Sequence, residues 1–273
     1  SGVARERWLI GLDIDGTVLH QDGTLDDAVA REILRVQELG HVVMPSTGRS
    51  VSMTLPVVDL LGIVPEYAVC ANGAIVMRRD EPAPVGYRRD RVETFDPREV
   101  LTTIRGHLEG AAFAVEDEEG IFQFTEEFPE GALVAGARRV DFDELLGEQV
   151  TRVVVVSPGQ AVEEFLSIVD RMGLNQVSYN VGWTAWLDIA PDGVNKGTGM
   201  DYVRERLDIP RSRVLVMGDG RNDIEMFRWA AEGGGAAVAM GQAPPEVREV
   251  STDVTGTDLE QGVASALARY FQG

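Results

Sequence analysis

Cysteine and histidine are scarce in this chain. Its 273 residues include a single cysteine, Cys70, and three histidines at positions 20, 41 and 107. With one thiol and three scattered imidazoles, neither a disulfide framework nor a Cys/His zinc site is expected. Cys70 stands in a short apolar run at 67–71, which predicts a buried thiol that serves packing.

Positive charge is also in short supply. The chain carries 25 Lys plus Arg against 45 Asp plus Glu, which gives a formal net charge of −20. Such a surface repels nucleic-acid phosphates and anionic lipids, so neither is expected as a partner. Lysine in particular is almost absent, because Lys196 is the only one in the sequence. A single lysine in a chain that otherwise uses arginine is a candidate for a specific task.

Long hydrophobic runs are missing as well. No stretch approaches the 18 or so apolar residues that cross a membrane, and the apolar run at 8–12 is too short for a signal peptide. Hydrophobic residues make up 44% of the chain and charged residues 26%, which is ordinary globular usage. The expectation is a folded cytoplasmic protein without a membrane partner.

The order of apolar runs and helical patterns predicts an α/β protein. Apolar runs at 8–12 and 41–45 each precede a helical pattern, and the same rhythm returns near the C-terminus. Alternating strands and helices are typical of a parallel sheet. The middle of the chain instead shows paired short strands with few helices. We therefore predict a parallel-sheet core at 1–82 and 190–273, with an inserted antiparallel α+β domain at 83–189.

Three local patterns add detail to this organisation. Asn72-Gly73 stands between two apolar runs and predicts a hairpin with a two-residue type I′ turn. Thr24 and Asp27 have the spacing of a capping box at the start of the first helix. The stretch 79–90 is rich in proline and charge, which predicts a linker into the inserted domain.

The first predicted strand ends in two carboxylates, Asp13 and Asp15, followed by Gly16. In an open parallel sheet, ligands bind beyond the carboxyl ends of the strands. Two such carboxylates suit a reaction in which one attacks and the other moves a proton. An EF-hand calcium loop does not fit, because Val18 stands where glycine is needed and Thr24 where glutamate is needed. Aspartates that only cap a turn remain the alternative.

A second acidic cluster follows the predicted strand at 214–217. Asp219 and Asp223 would meet Asp13 in the same crevice, where each close pair of carboxylates repels by about 4 kcal/mol at an effective dielectric near 20. The cluster therefore predicts Mg²⁺, which also binds phosphate oxygens. Lys196 offers a compact ammonium for the nucleophile and the phosphoryl group. The alternatives are that Asn222 or Asp223 is only a helix N-cap and that Lys196 is a surface lysine.

A third strand end is followed by Ser46-Thr47-Gly48-Arg49. Its hydroxyl, its unobstructed backbone N–H and its guanidinium all suit phosphate oxygens. The sequence contains no P-loop, no G-x-S-x-G element and no dinucleotide-binding fingerprint. These absences argue against three common classes of nucleotide-binding and hydrolytic proteins.

Taken in order, the motifs resemble those of the haloacid dehalogenase superfamily of phosphohydrolases, and in particular its Cof-like branch with a C2-type cap. The matching segments are Asp13-x-Asp15-Gly16-Thr17, Thr47-Gly48-Arg49, Lys196-Gly197 and Gly218-Asp219-x-x-Asn222-Asp223, for the first to the fourth motif. Two further segments resemble the branch, Asn72-Gly73-Ala74 and Met240-Gly241-Gln242-Ala243, although that branch often has Asn at the position of Gln242.

The resemblance implies a Rossmann-like core, with the inserted domain as a lid, and a Mg²⁺-dependent phosphatase. Asp13 would attack phosphorus to form an aspartyl-phosphate, and Asp15 would protonate the leaving alcohol and then activate water. The candidate residues are as follows: catalytic Asp13, Asp15 and Lys196; phosphate- or substrate-binding Thr47, Gly48, Arg49, Asn72 and Asn222; metal-binding Asp13, Asp15 through its backbone carbonyl, Asp219 and Asp223.

The inserted domain would contact the leaving group. Tyr179, Trp183 and Trp186 are candidates for stacking on a sugar ring or for packing the domain itself. Six arginines could form a second anion site or simply lie on the surface: Arg88, Arg89, Arg91, Arg138, Arg139 and Arg152. The expected substrate is a small phosphorylated metabolite such as a sugar phosphate. A sugar phosphomutase and a non-catalytic binder of phosphorylated ligands are the alternatives, and no motif implies a protein partner.

Overall fold

A computed structural model describes residues 6–129, 133, 136–174, 177–182 and 184–273. Within these residues the strands are β1 (Leu9–Leu12), β2 (Val42–Pro45), β3 (Tyr67–Cys70), β4 (Ile75–Arg79), β5 (Tyr87–Val92), β6 (Ala112–Glu116), β7 (Phe122–Phe124), β8 (Arg138–Arg139), β9 (Arg152–Val156), β10 (Val177–Val181), β11 (Trp186–Pro191), β12 (Val214–Gly218), β13 (Ala236–Ala239) and β14 (Asp253–Val254). The α-helices are α1 (Asp27–Glu38), α2 (Val51–Leu61), α3 (Arg98–His107), α4 (Val162–Met172), α5 (Lys196–Leu207), α6 (Ile224–Glu232), α7 (Pro245–Glu249) and α8 (Gly262–Tyr270).

A five-stranded parallel sheet forms the core, in the order β14-β13-β12-β1-β2. Its central strands are apolar along their whole length, as expected where helices cover both faces of a sheet. Alternate residues of β12 point to opposite faces. Leu215 and Met217 pack with α1, α2 and α8, whereas Val214 and Val216 pack with α5, α6 and α7. The predicted α/β class with a parallel-sheet core is confirmed.

A small antiparallel sheet, β3-β4-β5, stands beside the end of β2. The predicted hairpin is present, but the prediction of a two-residue turn is wrong. Cys70 pairs with Ile75, so the loop spans 71–74. Two N–H groups of this loop donate to the carbonyl oxygens of Thr47 and Arg49, at 3.0 and 2.8 Å. These tertiary hydrogen bonds hold the loop against the 46–49 segment and replace the bonds of a tight hairpin.

Two other local predictions also differ from the structure. The capping box is wrong, because Asp26 is the N-cap of α1 and Thr24 instead donates its hydroxyl to Asp22 at 2.6 Å. The predicted linker at 79–90 contains the first residues of β5, which pairs with β4. Proline and charge therefore mark only the turn between these strands. None of the helices in the described part of the chain combines the length and apolar character that a membrane crossing requires.

The inserted segment forms a six-stranded sheet, in the order β10-β11-β9-β6-β7-β8. We call this sheet, together with α3 and α4, the cap. The pairs are antiparallel apart from β7 and β8. One face packs against α3 and α4 through residues such as Phe113, Val153 and Leu187. The other face, which carries Phe122 and Trp186, looks onto the carboxyl ends of the core strands.

Candidate active site

Three strand ends of the parallel sheet meet at one crevice. Asp13 follows β1, Thr47 follows β2 and Asp219 follows β12, and all three line a cavity of about 330 Å³ beneath the cap. The carboxyl ends of parallel strands lie at the same edge of a sheet, which explains how residues so distant in sequence come together. The structure thus places side chains from the first, second and fourth motifs around one space.

The single lysine of the chain is buried at the floor of this site. Lys196 is the first residue of α5 and has no solvent exposure, so the alternative of a surface lysine is wrong. Its Nζ donates to Oδ1 of Asp13 at 3.0 Å and to Oδ1 of Asp223 at 2.7 Å. Burial alone would lower the pKa of Lys196, but the charges of Asp13 and Asp223 raise it above its usual range. The ammonium is therefore charged throughout the physiological pH range.

Asp223 organises the loop that follows β12. Its Oδ2 accepts hydrogen bonds from the backbone N–H groups of Asp219 and Gly220, at 3.1 and 3.0 Å. Asp223 occupies the N-cap position of α6, but its side chain makes no capping bond to that helix. Asp223 therefore has the N-cap position that the alternative predicts, but its side chain does not cap the helix. The side chain instead holds the fourth motif against Lys196.

Asp13, Asp219 and Asp223 form a compact acidic cluster. Each offers a carboxylate oxygen, and these oxygens lie within 4.8 Å of one another. Burial raises the pKa of Asp13 and of Asp219 to about 6 and that of Asp223 to about 7, although Lys196 opposes each rise. One ammonium leaves two of the three carboxylates unbalanced when all are ionised. A buried set of hard oxygen donors with excess negative charge fits a divalent cation such as Mg²⁺.

The second carboxylate of the first motif has a different environment. Asp15 is about half exposed, and both of its oxygens accept hydrogen bonds from Arg49, at 2.6 and 2.8 Å. Arg49 also donates to the carbonyl oxygen of Met53 at 3.1 Å, and its hydrogen bonds with Asp15 raise its pKa further. Asp13 and Asp15 therefore separate into a buried carboxylate beside Lys196 and an accessible one beside Arg49.

The remaining predicted binding residues connect the core to the cap. Asn222 donates to the side-chain oxygen of Asn72 at 3.1 Å, and Asn72 donates to Asp188 of the cap at 3.3 Å. Gly48 lies under both amides, because a Cβ on it would stand 3.0 Å from the oxygen of Asn72. The Thr47 hydroxyl oxygen accepts the backbone N–H of Arg49 at 3.0 Å, which shapes the loop. A bulkier residue at 48 would separate these amides from the cavity.

Sequence reasoning did not single out the main polar residues of the cap. Among the described residues, Arg152 is the only one of the six candidate arginines that lines the cavity, where it donates to the carbonyl oxygen of Gly48. Asp188 also lines it and was not predicted. Both are charged residues within strands that are otherwise strongly apolar, and that contrast was the available signal. Trp186 lines the cavity and Tyr179 does not, while Trp183 lies outside the described residues.

Gln242, which departs from the residue common in the Cof-like branch, joins two loops at the rim of the core. Its amide nitrogen donates to the carbonyl oxygen of Gly16 at 2.6 Å, and its amide oxygen accepts the backbone N–H of Asp258 at 3.2 Å. The loop after the first motif is therefore anchored to the segment before α8. The longer side chain makes this connection without touching the acidic cluster.

Comparisons with known proteins agree with this geometry. A family model described as haloacid dehalogenase-like hydrolase matches residues 10–267. The 5-amino-6-(5-phospho-D-ribitylamino)uracil phosphatase YitU of Bacillus subtilis is 28% identical over 278 residues, which cover 97% of each chain. The phosphoglycolate phosphatase of Methanothermobacter thermautotrophicus is 24% identical, over 96% of this chain and 98% of its own. A solved haloacid dehalogenase subclass IIB sugar phosphatase superposes with a TM-score of 0.79 at 20% identity, over 96% and 98% of the two chains.

Proposed function

Because the chain belongs to the haloacid dehalogenase-like hydrolase family and is a phosphatase, we propose that it hydrolyses small phosphorylated metabolites with Mg²⁺, through an aspartyl-phosphate on Asp13. One observation carries this proposal. Asp13 lines the cavity while Lys196 holds its carboxylate from below at 3.0 Å. A buried carboxylate, fixed by a buried ammonium at the mouth of a ligand-sized cavity, has the environment of a nucleophile.

In the first step, an oxygen of Asp13 attacks phosphorus, and the bond from phosphorus to the ester oxygen breaks. Lys196 and the backbone N–H of Ile14, at 3.0 and 2.9 Å from Oδ1, orient the carboxylate for attack. Thr47 and the Gly48 N–H offset charge on the transferring oxygens. Water then attacks the aspartyl-phosphate, which releases phosphate and restores Asp13.

Asp15 transfers the protons in this scheme. It protonates the leaving oxygen in the first step and takes a proton from water in the second. Before it donates a proton, Asp15 must leave the bidentate pair with Arg49. An incoming phosphate competes for the same guanidinium, so we propose that substrate binding itself releases Asp15. This exchange gives Arg49 its part in phosphate binding.

The Mg²⁺ ion would be held by the carboxylates of Asp13, Asp219 and Asp223, with the backbone carbonyl of Asp15 that the family resemblance implies. When bound, it supplies positive charge to the phosphate oxygens and to the carboxylates that surround them. Lys196 contacts both Asp13 and Asp223 and would keep their carboxylates in place. The cation and the ammonium together balance the cluster.

Small sugar or polyol phosphates are the substrate class that we propose. YitU is named for a phosphorylated ribityl compound, and the solved relative is a sugar phosphatase. A cavity of about 330 Å³ is at the small end of ligand sites. We propose that the inserted segment, 83–189, acts as a lid over this cavity. The cytoplasmic location stays a prediction from the sequence.

The two alternatives are less well supported by the geometry. A phosphomutase needs a second phosphate site in the cap, yet the cavity-lining Arg152 already faces a carboxylate, Asp188, at 4.0 Å. A protein that only binds phosphorylated ligands has no need of a carboxylate fixed beside a buried ammonium. Product analysis separates hydrolysis from transfer, because only hydrolysis releases inorganic phosphate.

Phosphate release from a panel of sugar, polyol and nucleoside phosphates tests the proposal. We expect hydrolysis that depends on Mg²⁺ and falls at least about 1,000-fold in Asp13→Asn, because the amide cannot act as the nucleophile. The matched control is Asp170→Asn, the same change at an exposed position of α4, which should retain full activity. Near-normal turnover in Asp13→Asn, or no hydrolysis of any phosphate ester by the unaltered protein, would contradict the proposal.

A further inference from the structure

One face of the cap sheet forms the ceiling of the cavity. Side chains alternate between the two faces along each strand, so Trp186 and Asp188 of β11 share a face. Residues of β7, β9 and β10 reach the same space. We call the cavity-lining residues of this sheet face the roof: Phe122, Arg152, Asn180, Trp186 and Asp188. The roof lies opposite Asp13 and the 46–49 segment, so the leaving group of a bound ester would lie against the roof.

Arg152 is the only cation of the roof, and its charge is already balanced. The residue is 6% exposed, and its guanidinium stands over the ring of Phe122 with 5.4 Å to the ring centroid. Asp188 lies 4.0 Å from its Nε, and the fully buried Glu116 interacts with its charge from the neighbouring strand. One of its terminal nitrogens donates to the carbonyl oxygen of Gly48. Arg152 therefore has little positive field to offer a second anion.

Asp188 has spare hydrogen-bonding capacity on the cavity side. An ionised carboxylate accepts about four hydrogen bonds. Among the described residues, Asn72 donates the one hydrogen bond to the Asp188 side chain, at 3.3 Å. Arg152 lies 4.0 Å away, which is too long for a second hydrogen bond. The side chain is 15% exposed and lines the cavity. A ligand with O–H or N–H groups would supply the missing donors.

The other cations around the cavity are paired in the same manner. Arg49 holds both oxygens of Asp15. Arg221 donates to Glu246 at 2.7 Å and to the carbonyl oxygen of Gly182 at 3.2 Å. In the part of the chain that the structure describes, every Lys or Arg that lines the cavity thus has a carboxylate partner. In the proposed exchange, Arg49 passes from Asp15 to the transferring phosphate, so an anionic leaving group would still meet Asp188 without an uncommitted cation to balance it.

We propose that Asp188, with its charge held in place by Arg152, selects phosphate esters whose leaving group is uncharged and donates hydrogen bonds, and excludes esters whose leaving group carries a carboxylate or a second phosphate. This inference rests on the proposed phosphatase function of the same site. Polyols and sugars satisfy Asp188 through their hydroxyl groups, while Phe122 and Trp186 cover their less polar faces. Asn180 offers both a donor and an acceptor to the same groups.

Two matched pairs of substrates test this selection. Glucose 6-phosphate and 6-phosphogluconate share a carbon skeleton, as do glycerol 3-phosphate and 3-phosphoglycerate, and within each pair only the second leaving group is an anion. For the unaltered protein with Mg²⁺, we expect kcat/KM to favour the neutral member by about tenfold or more in at least one pair. Equal values, or a preference for the anionic member in either pair, would overturn the inference.

Asp188→Asn then assigns the selection to one side chain. The amide keeps the shape of the carboxylate and removes its charge, so the ratio within a pair should fall by about tenfold. Hydrolysis of p-nitrophenyl phosphate, whose leaving group offers no donor to Asp188, is measured beside the pairs, so that a general loss of activity in the variant is distinguished from a change of the ratio. Glu163→Gln, on the exposed surface of α4, removes the same charge elsewhere in the cap and should leave every ratio unchanged.

The outcomes separate this inference from the function on which it rests. Absence of hydrolysis with all substrates, p-nitrophenyl phosphate included, would contradict the phosphatase proposal itself. Hydrolysis of p-nitrophenyl phosphate with no preference within the pairs, or an equal shift of the ratio in Asp188→Asn and Glu163→Gln, would overturn only the role of Asp188. Thermal melting shows whether Asp188→Asn is folded. If the variant is not folded, the inference is tested by the preference of the unaltered protein for the neutral member of each pair.

Discussion

The core and the cap both bury a cation among carboxylates, but they hold it differently. In the core, Lys196 donates directly to Asp13 and Asp223 at 3.0 and 2.7 Å. In the cap, Arg152 stands 4.0 Å from Asp188, and its Nε has no hydrogen-bond partner among the described residues. In the proposed mechanism, the tight cluster serves the phosphoryl group, which is common to all substrates. The looser one leaves hydrogen-bonding capacity for leaving groups, which differ.

Replacement of the core cation should have the largest effect and the least dependence on substrate. In Lys196→Met, we expect kcat to fall by about 1,000-fold for every ester, p-nitrophenyl phosphate included, because Asp13 loses its orienting donor and the phosphoryl group its nearest ammonium. Steady-state kinetics with saturating Mg²⁺ measure this loss. Lys196→Arg should not restore activity, because a planar guanidinium does not fit the fully buried site of a compact ammonium.

A loss in Lys196→Met that varies strongly with the leaving group would break the comparison. It would mean that the core cation also reads the variable part of the substrate. Circular dichroism and thermal melting of the variant, with and without Mg²⁺, show whether the protein remains folded. This control matters because the change leaves Asp13 and Asp223 buried without their counter-ion.

Replacement of the cap cation should cost stability more than chemistry. Arg152→Met removes the nearest cation from the buried Glu116 and from Asp188, whose side chain is 15% exposed, and we expect the free energy of unfolding to fall by about 3 kcal/mol. Urea denaturation measures it. The matched control is Arg139→Met, which breaks an exposed pair with Glu126, about 60% exposed on each side, and should cost less than about 1 kcal/mol. Equal losses in the two variants would show that the buried Arg152 contributes no more to stability than an exposed arginine.

The same contrast explains how far the sequence predicts this molecule. The core could be predicted because its signals are local: an apolar strand followed by Asp13, by Thr47 or by Asp219, each with a glycine close by. Strand ends of one parallel sheet necessarily share an edge, so local signals also place these residues together. Lys196 could also be predicted as a site residue from the sequence, because it is the only lysine in the chain.

The cap could be predicted only as a set of strands. Its roof combines residues of β7, β9, β10 and β11, and Arg152 meets Asp188 only because β9 and β11 are neighbours in the sheet. No local sequence pattern gives the order of the strands in an antiparallel sheet. The sequence therefore could not distinguish Arg152 from the other five candidate arginines. The prediction of a two-residue turn in the hairpin was wrong for a related reason. Hydrogen bonds from the 71–74 loop to another loop outweigh the preference of Asn-Gly for such a turn.

The smallest expected effect is the dependence of stability on pH and Mg²⁺. This dependence distinguishes the carboxylates around Lys196 in the core from those around Arg152 in the cap. Burial raises the pKa of Asp13 and Asp219 to about 6 and that of Asp223 to about 7, from an ordinary value of 3.8. A carboxyl group with a raised pKa favours folding while it is protonated. This contribution is complete below about pH 4 and is lost as the pH rises through 6 and 7. Without metal, the free energy of unfolding should therefore fall as the pH rises from 5 to 8.

Mg²⁺ should reverse this loss, because it binds the ionised carboxylates and must displace protons at low pH. We expect Mg²⁺ to raise Tm more at pH 8 than at pH 5, and to raise it much less in Asp219→Asn, which removes one donor of the cluster. Glu116→Gln removes a buried carboxylate of the cap instead and should leave the Mg²⁺ effect unchanged. An equal rise in Tm at both pH values, or in Asp219→Asn and the unaltered protein, would mean that the cation is not held by the core cluster. The proposed division between a core that holds the cation and a cap that does not would then fail.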